Sequence, residues 1–299
     1  MYILLILLAF ILLSLSFFES DSNSIEHSYL FKIRLATIKA FIGIAFFSYI
    51  ICEILSLFNV FSFNYVLISW ILINAAIIYL NKEKIKLNVF SIFSQKVIIP
   101  KKERNILFLI LFLIILPLLL LTIFISPNNW DSMAYHLPRV EHWIQNKNIY
   151  PYPTNIVRQV LTSPLSEYII ANFQILASTD SFSNLVQFAS FIFILFSATL
   201  FFSILKIGMK GQLFLLLALL SLPMMLFQAT TTQTDLLASF FFLSFILFAL
   251  LIIRTEANFK TNFIFLALSL TLGILTKYHI AIFAAPIVIY LLFELIKKK

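Results

Sequence analysis

A chain of 299 residues in which 62% are hydrophobic and 11% charged is far from a soluble globular domain, where about a quarter of the residues are charged. Its net charge of +8 does not point to nucleic acid, because the basic residues sit in short clusters between apolar runs, as expected of loops beside anionic lipid. The single cysteine, Cys52, stands inside an apolar run and excludes an internal disulfide and a cysteine metal cluster alike.

An apolar run of about 17 to 25 residues can cross the hydrocarbon core as a helix. The first such run, residues 2–18, has no positive n-region and no small-residue cleavage site, so it is expected to be a retained span and not a signal peptide. Two more follow at 36–58 and 64–80. Glu53 lies well inside the earlier of these, where a charge is costly unless paired or protonated. Residues 81–104 carry Lys82, Lys84, Lys86, Lys96, Lys101, Lys102 and Arg104 against Glu83 and Glu103, which predicts a basic cytoplasmic loop. A fourth span, 106–126, is followed after the external loop by 183–205, 212–228, 235–253, 262–276 and 279–295. Alternation then places Ser126–Ser181, Ala229–Thr234 and Lys277–His279 outside. Lys206, Lys210, Arg254, Lys260 and Lys297–Lys299 fall inside. The expected fold is an all-α polytopic membrane protein of about nine transmembrane helices. It divides into an N-terminal three-span segment with its basic loop, 1–104, and a transmembrane core, 105–299, whose one large external loop is 126–181.

That loop opens "NNWDSMAYHLPRVEHWIQNKNIYPYP" from Asn128 and holds Pro127, Pro138, Pro151, Pro153 and Pro164, which predicts a folded, turn-rich structure. In "AYHLPRVEHWIQN", Ala134, Leu137, Val140 and Trp143 recur at helical spacing, and "PLSEYIIANFQILAS" repeats the pattern. Both are expected to be amphipathic helices lying at the membrane surface.

The order of these features resembles the GT-C superfamily, the polytopic glycosyltransferases that include protein O-mannosyltransferases and the lipid A aminoarabinose transferase. The resemblance is carried by a span ending at Pro127, Asp131 soon after it, an interfacial helix, "YPYPTN", a "SPL" helix start and a return span. "TTTQTDLLASFFFLSFILF" and the hairpin "LTLGILTKYHIAIFAAPIVI" fit the same pattern, over roughly residues 106–295. It implies an inverting transfer of a sugar from a polyprenyl-phosphate donor to a glycan, lipid or protein acceptor, on the external face of what is expected to be a bacterial inner membrane. Asp131 matches the catalytic position, where a carboxylate takes the acceptor hydroxyl proton. Asp235 and Glu167 are the candidates for a second carboxylate. Lys277, Arg158, Arg139 and His136 are the candidates to meet the donor phosphate, and Trp130, Tyr135 and Gln233 to touch sugar or acceptor. No metal ligand is assigned and no cofactor is required beyond the lipid-linked sugar, with dependence on a divalent metal left open. Three departures stand out: Ser132 follows Asp131 where many relatives have Glu, "TSPL" at Thr162–Leu165 lacks their basic residue, and Gln187 stands where an Arg is frequent. The chain is short for the superfamily and ends at "FELIKKK", as though a C-terminal part were absent.

Each assignment has a structural alternative. Asp131 and Asp235 both precede helices and suit an N-cap. Glu167 stands in the first turn behind Pro164, where it meets the helix dipole. Lys277 could snorkel to the interface, and the loop aromatics suit an interfacial belt. A lipid or lipid-linked sugar flippase is the rival function, since polytopic proteins with polar span ends are often permeation machines. Transporters, however, show repeats and broken helices at mid-membrane, whereas this chain has four glycines, no visible repeat, and polar residues gathered on one side.

Overall fold

The computed structural model describes residues 2–19, 29–94, 99–254 and 258–297; Lys96, Lys298 and Lys299 of the expected internal clusters lie outside them. Among the described residues there is no strand. The helices are α1 (Leu4–Phe17), α2 (Tyr29–Leu57), α3 (Phe63–Ser94), α4 (Lys101–Ile110), α5 (Leu116–Phe124), α6 (Leu137–Asn146), α7 (Arg158–Leu161), α8 (Leu165–Ala177), α9 (Leu185–Ile204), α10 (Met209–Leu220), α11 (Pro223–Gln228), α12 (Asp235–Arg254), α13 (Phe259–Thr276) and α14 (Ile280–Lys297). Seven segments are long and apolar enough to cross a membrane: α2, α3, α4 with α5, α9, α12, α13 and α14. The shorter apolar helices α1 and α10 stand where the other two spans are expected.

Three expectations are corrected. Residues 81–104 are not simply a loop, because α3 runs on to Ser94 past a kink at Asn81 (φ −124°, ψ 17°). The extension opens with Lys82, Glu83, Lys84, Lys86 and Leu87, residues that favour helix. It is also held from below: Asn88 donates to the carbonyls of Leu15 (2.8 Å) and Phe18 (2.7 Å), groups that the end of α1 leaves without helical donors. The run 212–228 is broken at Leu222, which is extended (ψ 106°) before Pro223, a conformation that proline favours in its predecessor. Finally, α8 is not a surface helix. Eleven of its thirteen residues are buried, and Glu167, Tyr168, Asn172 and Gln174 each find a partner inside, so sequence periodicity alone misplaces it.

Two π-helical turns, Leu111–Ile115 and Ser132–His136, each lead into a helix with proline at its start. Proline lacks an N–H and crowds the carbonyl four residues back, and a π turn accommodates both effects. In the second case the carbonyl behind Pro138 is that of Ala134, and Gln159 Nε2 supplies its donor at 2.8 Å. Gln159 Oε1 in turn accepts from Tyr152 (3.1 Å) and Thr154 (2.9 Å). One missing amide hydrogen thus ties the 152–159 segment across the helix.

Helix direction sorts the charges. α12 runs from Asp235 to Arg254, α13 returns from Phe259 to Thr276, and α14 leaves again to Lys297. Arg254 donates to the Ile204 carbonyl at 3.1 Å, tying the far ends of α12 and α9 together. Lys206, Lys210, Arg254, Lys260 and Lys297 therefore share one end of the bundle with the start of α4, and the 126–181 segment sits at the other.

Candidate active site

At the loop end a cavity of about 440 Å³ is lined by Asp131, Tyr135, His136, Arg158, Glu167, Gln233, Asp235 and Lys277, with Ser163, Tyr278 and His279 among the other walls. The sequence assigned eight of those residues, and four separate stretches of chain bring them together. His279 and Tyr278 were missed, although their three-residue turn with Lys277 is a signal that could have included them. Among the described residues no three His, Cys, Asp or Glu side chains come together as a metal site would need.

Asp131 precedes the π turn, and its side chain makes no capping bond. That duty falls to Asn129, whose Oδ1 accepts from the Ser132 amide at 2.7 Å. The carboxylate is left for other work. Its Oδ2 accepts from Gln233 Nε2 (3.3 Å), and its Oδ1 lies 3.8 Å from Arg158 Nη1. Gln233 is held in place by its neighbour, since Thr232 Oγ1 donates to Ser132 Oγ at 2.6 Å, with both residues fully buried. The hydroxyl of Ser132 thus latches the α11–α12 connection to the loop. Tyr135 lies close by; burial first, and then the Asp131 charge, push its pKa up to about 12, so it remains a neutral hydroxyl. The Arg158 guanidinium stands over its ring, 5.7 Å from the centroid.

On the opposite wall Lys277, at the end of α13, forms an ion pair with Asp235 at the start of α12. The start of α12 is also held from behind. Gln187, fully buried on α9, accepts from the Leu237 amide at 3.2 Å and so serves as a cap for the first turn of α12.

In the cavity wall Glu167, with almost no surface of its own exposed, pairs with His136 Nδ1 at 2.8 Å, and Arg139 Nη1 lies 3.7 Å away. Burial would raise the Glu167 carboxyl, but the His136 hydrogen bond and the nearby His136 and Arg139 charges outweigh it and hold the pKa below its ordinary value. Two expected contacts are corrected here. Arg139 does not line the cavity: its guanidinium is buried, bonded to Thr162 O (2.9 Å) and Oγ1 (3.0 Å), and stacked over Trp143 (4.6 Å). Trp130 is 83% exposed and outside the cavity, as an interfacial aromatic would be. Glu53, for which the sequence offered no role, accepts from the Tyr168 hydroxyl at 3.0 Å.

Residues 162–299 match the model of the dolichyl-phosphate-mannose-protein mannosyltransferase family, a family of the GT-C type. No curated protein and no solved structure matches the chain. Glu167, Gln233, Asp235 and Lys277 fall within the matched residues, whereas Asp131, Tyr135, His136 and Arg158 precede them.

Proposed function

We propose, from the premise that this chain is a membrane glycosyltransferase of the GT-C type, that it moves a sugar from a polyprenyl-phosphate donor to an acceptor hydroxyl on the external face of the membrane. The observation that carries this reading is one cavity holding a carboxylate free of capping duty together with two cations, Arg158 and Lys277. The acceptor oxygen attacks the anomeric carbon from the face opposite the phosphate, with inversion. Its proton passes to Asp131 as the new C–O bond forms. The old C–O bond breaks and its electron pair leaves with the lipid phosphate, whose charge Lys277 and Arg158 meet. With His136 Nδ1 engaged by Glu167, Nε2 is the ring atom left to contact phosphate or sugar. Tyr135, held neutral, and Gln233 are placed to hydrogen-bond sugar hydroxyls. Asp235 keeps Lys277 at the cavity wall until a phosphate competes for it.

The test is reconstitution with polyprenyl-phosphate monosaccharides in vesicles. Acceptor-dependent release of polyprenyl phosphate is expected, and Lys277→Met and Arg158→Met should each weaken retention of donor lipid, more at low than at high ionic strength, because the contact is ionic. Lipid crossing the bilayer with no sugar transferred would instead make the protein a flippase.

The external assignment rests on the basic residues collected at the end of the bundle away from the cavity. Gln145, exposed on α6, provides the check. A Gln145→Cys variant in a Cys52→Ser background should react with an impermeant thiol reagent in intact cells. Reaction only after permeabilisation would invert the topology.

A further inference from the structure

We propose that the N-terminal helices α1 to α3, outside both the resemblance and the matched residues, are the positioning element of the cavity: through α2, α3 and their turn they anchor α6 and α8, and so hold the Glu167–His136 pair in place. The inference deepens the transfer reading and rests on it.

At thirteen residues α8 is too short to cross a bilayer, which takes about 20. Its place is therefore set by its neighbours, chiefly α2, α6 and α3. Two polar anchors fix it. Trp70 of α3 donates its indole N–H to Asn172 Oδ1 at 2.9 Å, and both residues are fully buried. Asn172 Nδ2 donates to the Tyr168 carbonyl (2.9 Å) and reaches Cys52 Sγ of α2 (3.3 Å). The Tyr168 hydroxyl donates to Glu53 of α2 at 3.0 Å. Residues 168 and 172 are one turn apart and share the face of α8 turned to α2 and α3. Glu167 is the residue next to Tyr168, about 100° around the helix, so fixing that face fixes the direction in which Glu167 reaches His136. In the dry setting of the Trp70–Asn172 bond the anchor is costly to break, because the orphaned group finds no water.

The turn between α2 and α3 grips the other partner. The Phe61 amide donates to the Lys147 carbonyl (2.9 Å), Asn148 Nδ2 to Asn59 Oδ1 (2.8 Å) and the Ile149 amide to Ser56 Oγ (2.9 Å). These three bonds close on the C-terminal end of α6, the helix that continues from the π turn carrying His136. The buried pair in the cavity wall thus joins two elements, each tied to the same N-terminal unit. None of the anchoring side chains, Trp70, Asn172, Glu53, Asn59 or Ser56, lines the cavity, so their influence on it must pass through α6 and α8.

Trp70→Phe keeps the ring but deletes the N–H that Asn172 accepts. We expect faster amide exchange over residues 165–172 and a kcat for sugar transfer reduced about 10- to 10²-fold, the scale of a misplacement of about 1 Å. KM for donor lipid should change little, since Lys277 and Arg158 stand on other elements. In a His136→Gln background the same substitution should cost little further kcat, because the group it positions is already gone. Tyr168→Phe, which loses only a hydroxyl, repeats the test if Trp70→Phe does not accumulate. Exchange at the parental rate, or an equal fold loss of kcat in both backgrounds, overturns the proposal. If the parent protein transfers no sugar while Trp70→Phe still speeds exchange over 165–172, the anchoring stands and the transfer reading falls.

Discussion

Asp131→Asn is expected to lower sugar transfer by about 10²- to 10⁴-fold, the range attributed to general acid–base catalysis, while the protein still accumulates in the membrane. Asparagine has nearly the same volume and keeps an oxygen able to accept from Gln233, but it cannot take a proton from an attacking hydroxyl. The structure makes this substitution cleaner than the sequence alone suggests. An Asp before a helix commonly caps it, and its loss would then mix folding with catalysis. Here Asn129 caps the turn and the Asp131 carboxylate faces the cavity, so folding and chemistry separate at this position. The ion pair with Arg158 adds little to stability, since at 3.8 Å and with the Arg side chain 69% exposed it is screened by water. Donor lipid should still bind, because Lys277 and Arg158 remain. The measurement is turnover of a polyprenyl-phosphate sugar against binding of the same lipid. Transfer at the parental rate would remove Asp131 as the base and move the search to Asp235, the other cavity carboxylate with exposed surface.

Glu167→Gln is expected to act through stability. The substitution removes the charge between two buried bases and leaves Arg139 without a counter-ion, a kind of loss that costs about 3–5 kcal/mol. The pH dependence follows from the direction of its shift. Because the folded pKa lies below the ordinary value of 4.5, the stabilisation is fully present above about 4.5 and is lost as the pH falls through the folded value. Thermal unfolding of the parent protein in detergent should therefore steepen its loss of stability below about pH 4.5, and Glu167→Gln should flatten that limb while lowering the plateau at neutral pH. A variant with the parental plateau would show that the buried pair carries no net stabilisation. Activity should fall as well, because His136 loses the carboxylate that orients it.

The sequence by itself determined that the chain is an all-α membrane protein and where its apolar runs lie, because the absence of water in the bilayer leaves a hydrophobic segment of that length one satisfied conformation, the helix. It also placed Asp131, Asp235 and Lys277 beside span ends, since charges so near an apolar run are conspicuous, and the order of these features carried the GT-C resemblance. Only the tertiary structure decided which of the polar residues meet. Periodicity records which face of a helix is polar but not whether that face looks at water or at another polar side chain, and so α8, Arg139 and Gln187 were misplaced or unassigned until their partners Trp70, Thr162 and the Leu237 amide were seen. The same limit hid the division of labour between Asn129 and Asp131, which lie two residues apart and of which only Asn129 reaches the Ser132 amide. It also left the three N-terminal helices without a role, because hydrogen bonds between residues as distant as Trp70 and Asn172 leave no mark on local sequence: they exist only once packing has removed the water that would otherwise satisfy both groups.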